Sequence, residues 1–197
     1  MAEGSYHHGN LRAALLERAE AVLTESGPAG LSLRGLARDL GVSHAAPARH
    51  FRDRQALLDA LAVSGFTEFN RRLREAAEGS GGVELRLEEL GRAYLGFAVE
   101  RTALLHLMFA AKHEEQSSEE LRQLGHQALE AASRLVAEAQ RTGVVRPGDP
   151  VRLAQVAFST VHGLALLAVG GLLDDTPLTE ATALALQVLL DGLRPPG

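Results

Sequence analysis

The sequence predicts an all-α protein of about nine helices, and three observations carry that prediction. Apolar residues recur at three- and four-residue spacing through most of the chain, the period of a helix with one buried face. No stretch alternates apolar and polar residues as a half-buried strand would, and no internal repeat is present. The segment ends carry Ser, Asp or Asn caps, with Pro or Gly nearby, which is how short helices begin and stop.

Taken in order, Asn10 is expected to cap a first long helix whose apolar face is Leu11, Leu15, Ala19, Val22 and Leu23, with Gly27 and Pro28 ending it. Residues 32–51 read as two short helices joined by a tight turn. Ser32 is the first N-cap, flanked by Leu31 and Leu36 as a hydrophobic staple. Leu33, Leu36, Ala37 and Leu40 form the buried face, and Gly41 takes the turn with positive φ. Ser43 is expected to cap the second short helix, which carries His44, Ala45, Ala46, Arg49 and His50 and ends near Phe51. Pro47, with no N–H to give, sits in its first turn, where that loss is tolerable. Asp53 then caps a longer helix with a stripe of Leu57, Leu58, Leu61, Phe66, Phe69 and Leu73. A capped helix, a Gly turn and a second short helix with polar outward residues is the layout of a DNA-binding helix-turn-helix.

A Gly-Ser-Gly-Gly linker at residues 79–82 separates this headpiece, residues 6–76, from a second helical domain at residues 83–194. Helices are expected there over residues 85–99, 102–112, 119–141, 151–173 and 178–193. Ser117 with Glu120 reads as a capping box, and Asp149-Pro150 and Thr176-Pro177 each place a cap before a Pro at the first helical position.

Composition narrows the function classes. With 46% of its 197 residues hydrophobic and 23% charged, the chain has the make-up of a soluble globular protein. It has no Cys, which excludes disulfides and thiolate metal sites and agrees with a reducing cytoplasm. The start, MAEGSYHHGNLR, has no cationic segment followed by an apolar core, so no secretory signal is read there. The longest apolar run, residues 163–173, is shorter than the roughly 20 residues of a membrane span. No nucleophile elbow, phosphate loop or HExxH motif occurs, and His106 and His113 lie two turns apart without a nearby chelating partner. No catalytic residue, metal site or cofactor is expected. Net charge is −5, but residues 30–55 hold five Arg against two Asp, so positive charge gathers at the helix-turn-helix.

The residues that form that motif carry a resemblance. GVSHAAPARHFRDRQALLDA, residues 41–60, is similar to the recognition helix and following helix of the TetR family of bacterial transcriptional regulators, and GPAGLSLRGLARDLG matches that family's approach to it. The likeness is strong over residues 6–69. A further tract, AFSTVHGLAL with a later Gly-Gly, resembles the carboxy-terminal domain of the WHG-type subgroup. The resemblance implies a sequence-specific regulator, a repressor released from a palindromic double-stranded operator by a small organic effector. By position in the motif, His44, Ala45, Ala46 and Arg49 face the bases, with Arg49 suited to guanine O6 and N7. Ser32, Arg34, Ser43, His50 and Arg54 are placed to hold phosphates, and Tyr6, His7, His8 and Arg12 to form an arm. Two departures stand out: Ala48 occupies a position that is often Tyr in the family, and Phe158 stands where the subgroup has Trp, four residues before His162-Gly163.

Residues 153–173 are apolar on several faces, and pairing them and the last helix with a second copy would bury what a small domain cannot; the resemblance implies the same homodimer. It also implies an apolar effector pocket, for which Tyr94, Phe97, Met108, Phe109, His126, Phe158 and His162 are the candidates. The alternative is an all-α ligand-binding or enzymatic protein whose headpiece is only structural.

Overall fold

The computed structural model describes residues 11–114 and 117–195. The expected Asn10 cap and the arm at Tyr6, His7 and His8 lie outside them. Within them the chain is all-helical, with eight α-helices: α1 (Leu11–Ser26), α2 (Leu33–Asp39), α3 (Arg54–Ala77), α4 (Val83–Glu100), α5 (Thr102–Lys112), α6 (Glu119–Arg141), α7 (Pro150–Val169) and α8 (Leu178–Leu193). Two short 3₁₀ turns, Pro28–Gly30 and Pro47–Arg49, complete the set.

Packing divides the chain into two compact units. Among the described residues, the first takes 11–66, 103–114 and 117–122, hence α1, α2, the first half of α3, and α5; the second takes 67–102 and 123–195. The Gly79–Gly82 turn therefore lies inside the second unit.

In the first unit α1 packs against α2 and the Pro28–Gly30 turn, and α2 against the Pro47–Arg49 turn. Leu15, Leu23, Leu31, Leu36, Phe51, Leu57, Leu61 and Phe66 are buried together with small Ala19 and Ala37. Full burial of each large side chain contributes roughly 1.5–3 kcal/mol before entropy is counted. Leu40, which the sequence places in this core, is only half-buried. Ser32 caps α2 by accepting from the Gly35 amide at 3.0 Å. Asp53 caps α3 by accepting from the Ala56 amide at 2.8 Å; that bond, helped by Arg52, holds its carboxyl below the usual range. Phe66 meets Phe109 edge-on at 5.9 Å.

In the second unit α7 packs on α4 and on α8, and α4 also reaches α8. The α4–α8 approach depends on Gly91, where a Cβ would lie 2.4 Å from Leu186 Cδ2. In the same unit Val83, Leu135, Val136, Val145 and Leu193 form a buried cluster. Arg86 of α4 ties it down, pairing with Glu138 of α6 and donating to the Ala77 carbonyl at 3.1 Å.

Several local expectations are corrected. The second helix of the helix-turn-helix is one loose turn ending in 3₁₀ geometry, not an α-helix, and its cap position falls at Ala46 rather than Ser43. Pro47 is the cause: without an N–H it cannot bond the Ser43 carbonyl, which instead accepts from Ala46 at 2.9 Å. The cap of α6 is Ser118, accepting from the Leu121 amide at 3.1 Å, and not Ser117, whose Oγ is buried without a partner among the described residues. Pro177 is itself the N-cap of α8, so Thr176 does not cap it. Helix α7 stops at Val169 instead of Leu173, because Gly171 takes φ 66° and turns the chain. The Leu172 amide then reaches back to the Leu167 carbonyl at 2.9 Å.

The membrane argument also changes. Helix α7 as a whole has 20 residues and a mean hydropathy of 1.4, which is long and apolar enough to cross a membrane by length and composition, and 17% of that window is buried. Apolar side chains exposed on it and beyond it include Val156, Leu166, Leu167, Val169 and Leu172, and on α8 Leu184 and Val188.

The start of α7 has a cap as expected: Asp149 accepts from the Val151 amide at 2.9 Å, with Pro150 in the first turn. Asp149→Ala is expected to destabilise the protein by about 1 kcal/mol, read as a lower urea midpoint at fixed protein concentration with an unchanged slope.

Candidate functional site

The surface the sequence singles out is built on the end of α2 and the turn that follows. Gly41 adopts φ 66°, a left-handed conformation that costs Gly little. Its amide reaches the Arg38 carbonyl at 3.1 Å while that of Val42 reaches Ala37 at 3.0 Å, satisfying the carbonyls at the end of α2. The chain then winds tightly: Arg49 N–H donates to Ala46, and the His50 and Phe51 amides both donate to the Pro47 carbonyl, at 2.9 and 3.0 Å.

This winding sorts the side chains. Pro47 and Phe51 are buried, which fixes the turn from beneath, and the Arg12 guanidinium lies 5.6 Å over the Phe51 ring. Ser43, His44, Ala45, Ala48, Arg49 and His50 are exposed and Ala46 is half-buried. A cleft of about 430 Å³ brings Ser32, Arg34, Arg38 and His44 together. The place of Arg38 on this wall has no signal in the local sequence pattern.

Charge pairing separates the arginines. Arg18 and Arg38 meet Asp39, and Arg52 meets Asp53. Arg54 donates through Nε to the Leu31 carbonyl at 3.1 Å and through a second N–H to the Pro28 carbonyl. It thus ties α3 to the segment that leads into α2. Arg34 and Arg49, both exposed, form no ion pair among the described residues. Two guanidiniums with uncompensated charge on one small unit are suited to an anionic partner.

The expected ligand residues do not form one group. Tyr94 of α4 and His162 of α7 share a hydrogen bond of 2.6 Å between Oη and Nδ1. Phe158, one turn before His162, stacks on its ring at 5.3 Å and 13°, and meets Tyr94 edge-on at 5.6 Å. Burial pushes the Tyr94 hydroxyl above its ordinary pKa, so it stays a neutral phenol. Tyr94 and Phe158 line an apolar cavity of about 80 Å³. Phe97 packs on Phe69 at 5.0 Å between the guanidiniums of Arg72 and Arg101, away from that lining. His126 is exposed on α6. Met108 and Phe109 belong to the first unit, where they pack near Gly65 and Phe66. Leu129, Ala132, Leu186 and Leu190, absent from the residues expected there, line the cavity. Their helical period marks them only as core.

Comparison with known proteins decides the family. Residues 15–61 match the family described as bacterial regulatory proteins, tetR family. Residues 87–193, more than half of the chain, match the tetracyclin repressor-like C-terminal domain. The chain belongs to the TetR family. No curated protein sequence matches it. Among solved structures, a Rhodococcus sp. RHA1 protein of unknown function is similar over 98% of this chain and 100% of its own, at 47% identity and a TM-score of 0.91. The TetR family transcriptional regulator PfmR from Thermus thermophilus shares the fold at 19% identity and a TM-score of 0.75, over 92% of this chain and 99% of its own. So does the ketosteroid transcriptional regulator KstR2 of Mycobacterium tuberculosis, at 17% identity and a TM-score of 0.71, over 94% of this chain and 98% of its own. TetR regulators are DNA-binding proteins that typically act as dimers.

Arg34 and Arg54 can be told apart on DNA. Arg34→Met is expected to weaken binding and reduce the slope of log affinity against log salt by about one, as loss of a phosphate contact does. Arg54→Met is expected to weaken binding and lower the melting temperature with the salt slope unchanged, because its guanidinium is committed to backbone carbonyls. Fluorescence anisotropy at several salt concentrations measures both.

Proposed function

We propose that this TetR-family protein is a homodimeric, cytoplasmic repressor, not an enzyme, that binds a palindromic operator and is released by a small organic effector. The observation that carries the DNA reading is the exposed Arg49, unpaired among the described residues on a turn fixed from below by Pro47 and Phe51. In this reading Arg49 contacts guanine in the major groove, Ala45 and Ala46 allow close approach or meet thymine methyl groups, and His44 touches a neighbouring base edge. Ser32, Arg34, Ser43 and His50 set register on the phosphates, with the capped start of α2 adding its free amides. Arg54 supports that surface from behind.

The dimer reading draws on the apolar side chains left exposed on α7 and α8. Leu184 and Val188 are one helical turn apart on α8, and a shallow hollow of about 530 Å³ runs beside them past Val156, Ala181 and Ala185. Small residues between large ones suit close helix packing, and two copies meeting under two-fold symmetry would form a four-helix contact. Two heads then address half-sites roughly 34–36 Å apart or a larger helical multiple. Helix α3 runs from Arg54 to Ala77 and contributes residues to both units. An effector releases the operator only to the extent that it prefers the state with the wrong head spacing.

The test is binding to the intergenic DNA beside the protein's own gene, with random DNA as control. The expected outcome is salt-sensitive binding to the first that Arg49→Ala weakens by about 1–3 kcal/mol per half-site. Equal weak binding to both DNAs, unaffected by Arg49→Ala, would contradict the reading. In sedimentation velocity, the double variant Leu184→Glu/Val188→Glu is expected to be a monomer with strongly reduced operator affinity. A dimer that persists in that variant would place the contact elsewhere.

A further inference from the structure

We propose that the effector is an uncharged, hydrocarbon-rich small molecule that occupies the cavity beside Tyr94 and has the Tyr94 hydroxyl as its one polar contact. This deepens the ligand-responsive reading above and rests on it.

The cavity wall comes from α3, α4, α6, α7 and α8 and consists of Leu, Ala, Val, Gly and Phe residues together with Tyr94. Among the described residues that line it, Tyr94 is the only one whose side chain bears a polar atom, and none is Asp, Glu, Lys, Arg or His. Its hydroxyl is kept neutral by burial and is backed by His162, which Phe158 holds in place by stacking. A carboxylate or phosphate entering this space would shed its water against hydrocarbon with no cation to receive it. A neutral molecule avoids that charge penalty, and one hydroxyl or carbonyl on it can exchange water for Tyr94. A larger hollow of this unit, an open cleft of about 650 Å³, has charged walls in which Arg86 already meets Glu138 and Arg134 lies 4.0 Å from Glu130.

Size sets the second condition. At about 80 Å³ the cavity holds two to three waters at roughly 30 Å³ each, well short of the 300–1,000 Å³ of typical ligand sites. An occupant must therefore widen it. The yielding parts are the leucines of α8: Leu186, Leu189, Leu190 and Leu193 all reach the wall from one helix. The same helix exposes Leu184 and Val188 on its other side, so an occupant that displaces α8 also displaces that face.

The experiment uses the full chain and N-phenyl-1-naphthylamine, a neutral apolar probe whose fluorescence rises when it leaves water. Competition by 1-decanol and by decanoate is compared at pH 8, where the acid is ionised. Decanol is expected to displace the probe at a concentration about tenfold or more below that of decanoate. Tyr94→Phe is expected to weaken decanol about threefold to tenfold and to leave decanoate unchanged. Ala157→Phe and the milder Ala132→Met, which fill the cavity, are expected to abolish the fluorescence rise. Equal or better competition by decanoate would overturn the proposal. So would probe binding that survives in both filled variants, which would put the probe on the exposed α7 and α8 faces, or no probe binding at all. If the filled variants fail to fold, as judged by circular dichroism, the shape-preserving Tyr94→Phe decides: unchanged decanol competition overturns the polar contact. Operator binding is measured on the same preparations. Probe results as predicted with no operator binding would sink the regulatory reading alone, whereas operator binding without cavity binding would sink this inference alone.

Discussion

Helix α7 carries more apolar surface than its own unit covers, and the second unit is arranged around that excess. One face supplies Ala154, Ala157, Phe158 and Val161 to the cavity wall, while Val156, Leu166, Leu167 and Val169 stay exposed. A helix that is apolar nearly all round is stable in water only if something covers the rest of it. A membrane, a further chain or a second copy would each satisfy that condition. Membership of a family whose members act as dimers makes the second copy the economical answer. The face α7 turns inward and the face it leaves outward are two sides of one element.

The DNA-facing unit solves a different problem, that of presenting a few side chains rigidly on a very short segment. A turn of this length has almost no intrinsic helical stability. Its rigidity comes from beneath and from both ends. Pro47 and Phe51 bury apolar surface, the Gly41 conformation closes α2, and Asp53 opens α3. Arg54 fixes the incoming strand of chain at Pro28 and Leu31. Ala48 leaves that turn without an aromatic ring of its own beside the exposed Arg49.

Much of this was legible in the sequence because it follows from local rules. Ser32, Asp53 and Asp149 cap the helices their positions announce, Gly41 takes positive φ, and α5, α6 and α8 span the residues their apolar periods mark. What escaped was decided by tertiary neighbours. Ser117 and Ser118 are equally good caps on paper, and burial of Ser117 gives the role to Ser118. The helical period of Phe97, Met108 and Phe109 marks them as buried without saying against what. Tyr94, Phe158 and His162 were named as candidates, but only packing joins Tyr94 to His162 across 68 residues. Arg54 looked like a phosphate contact by position, and its partners, two backbone carbonyls more than twenty residues upstream, have no sequence signature.

In the proposed function a pair of Arg49-bearing turns reads a symmetric DNA site. The most direct measurement is selection of random-sequence duplex DNA by the purified full-length protein at near-physiological salt, followed by sequencing of the enriched pool. The expected outcome is a palindrome with a guanine in each half-site and half-site centres separated by a whole number of helical turns. Enrichment of no sequence, or of a site without two-fold symmetry, would contradict it.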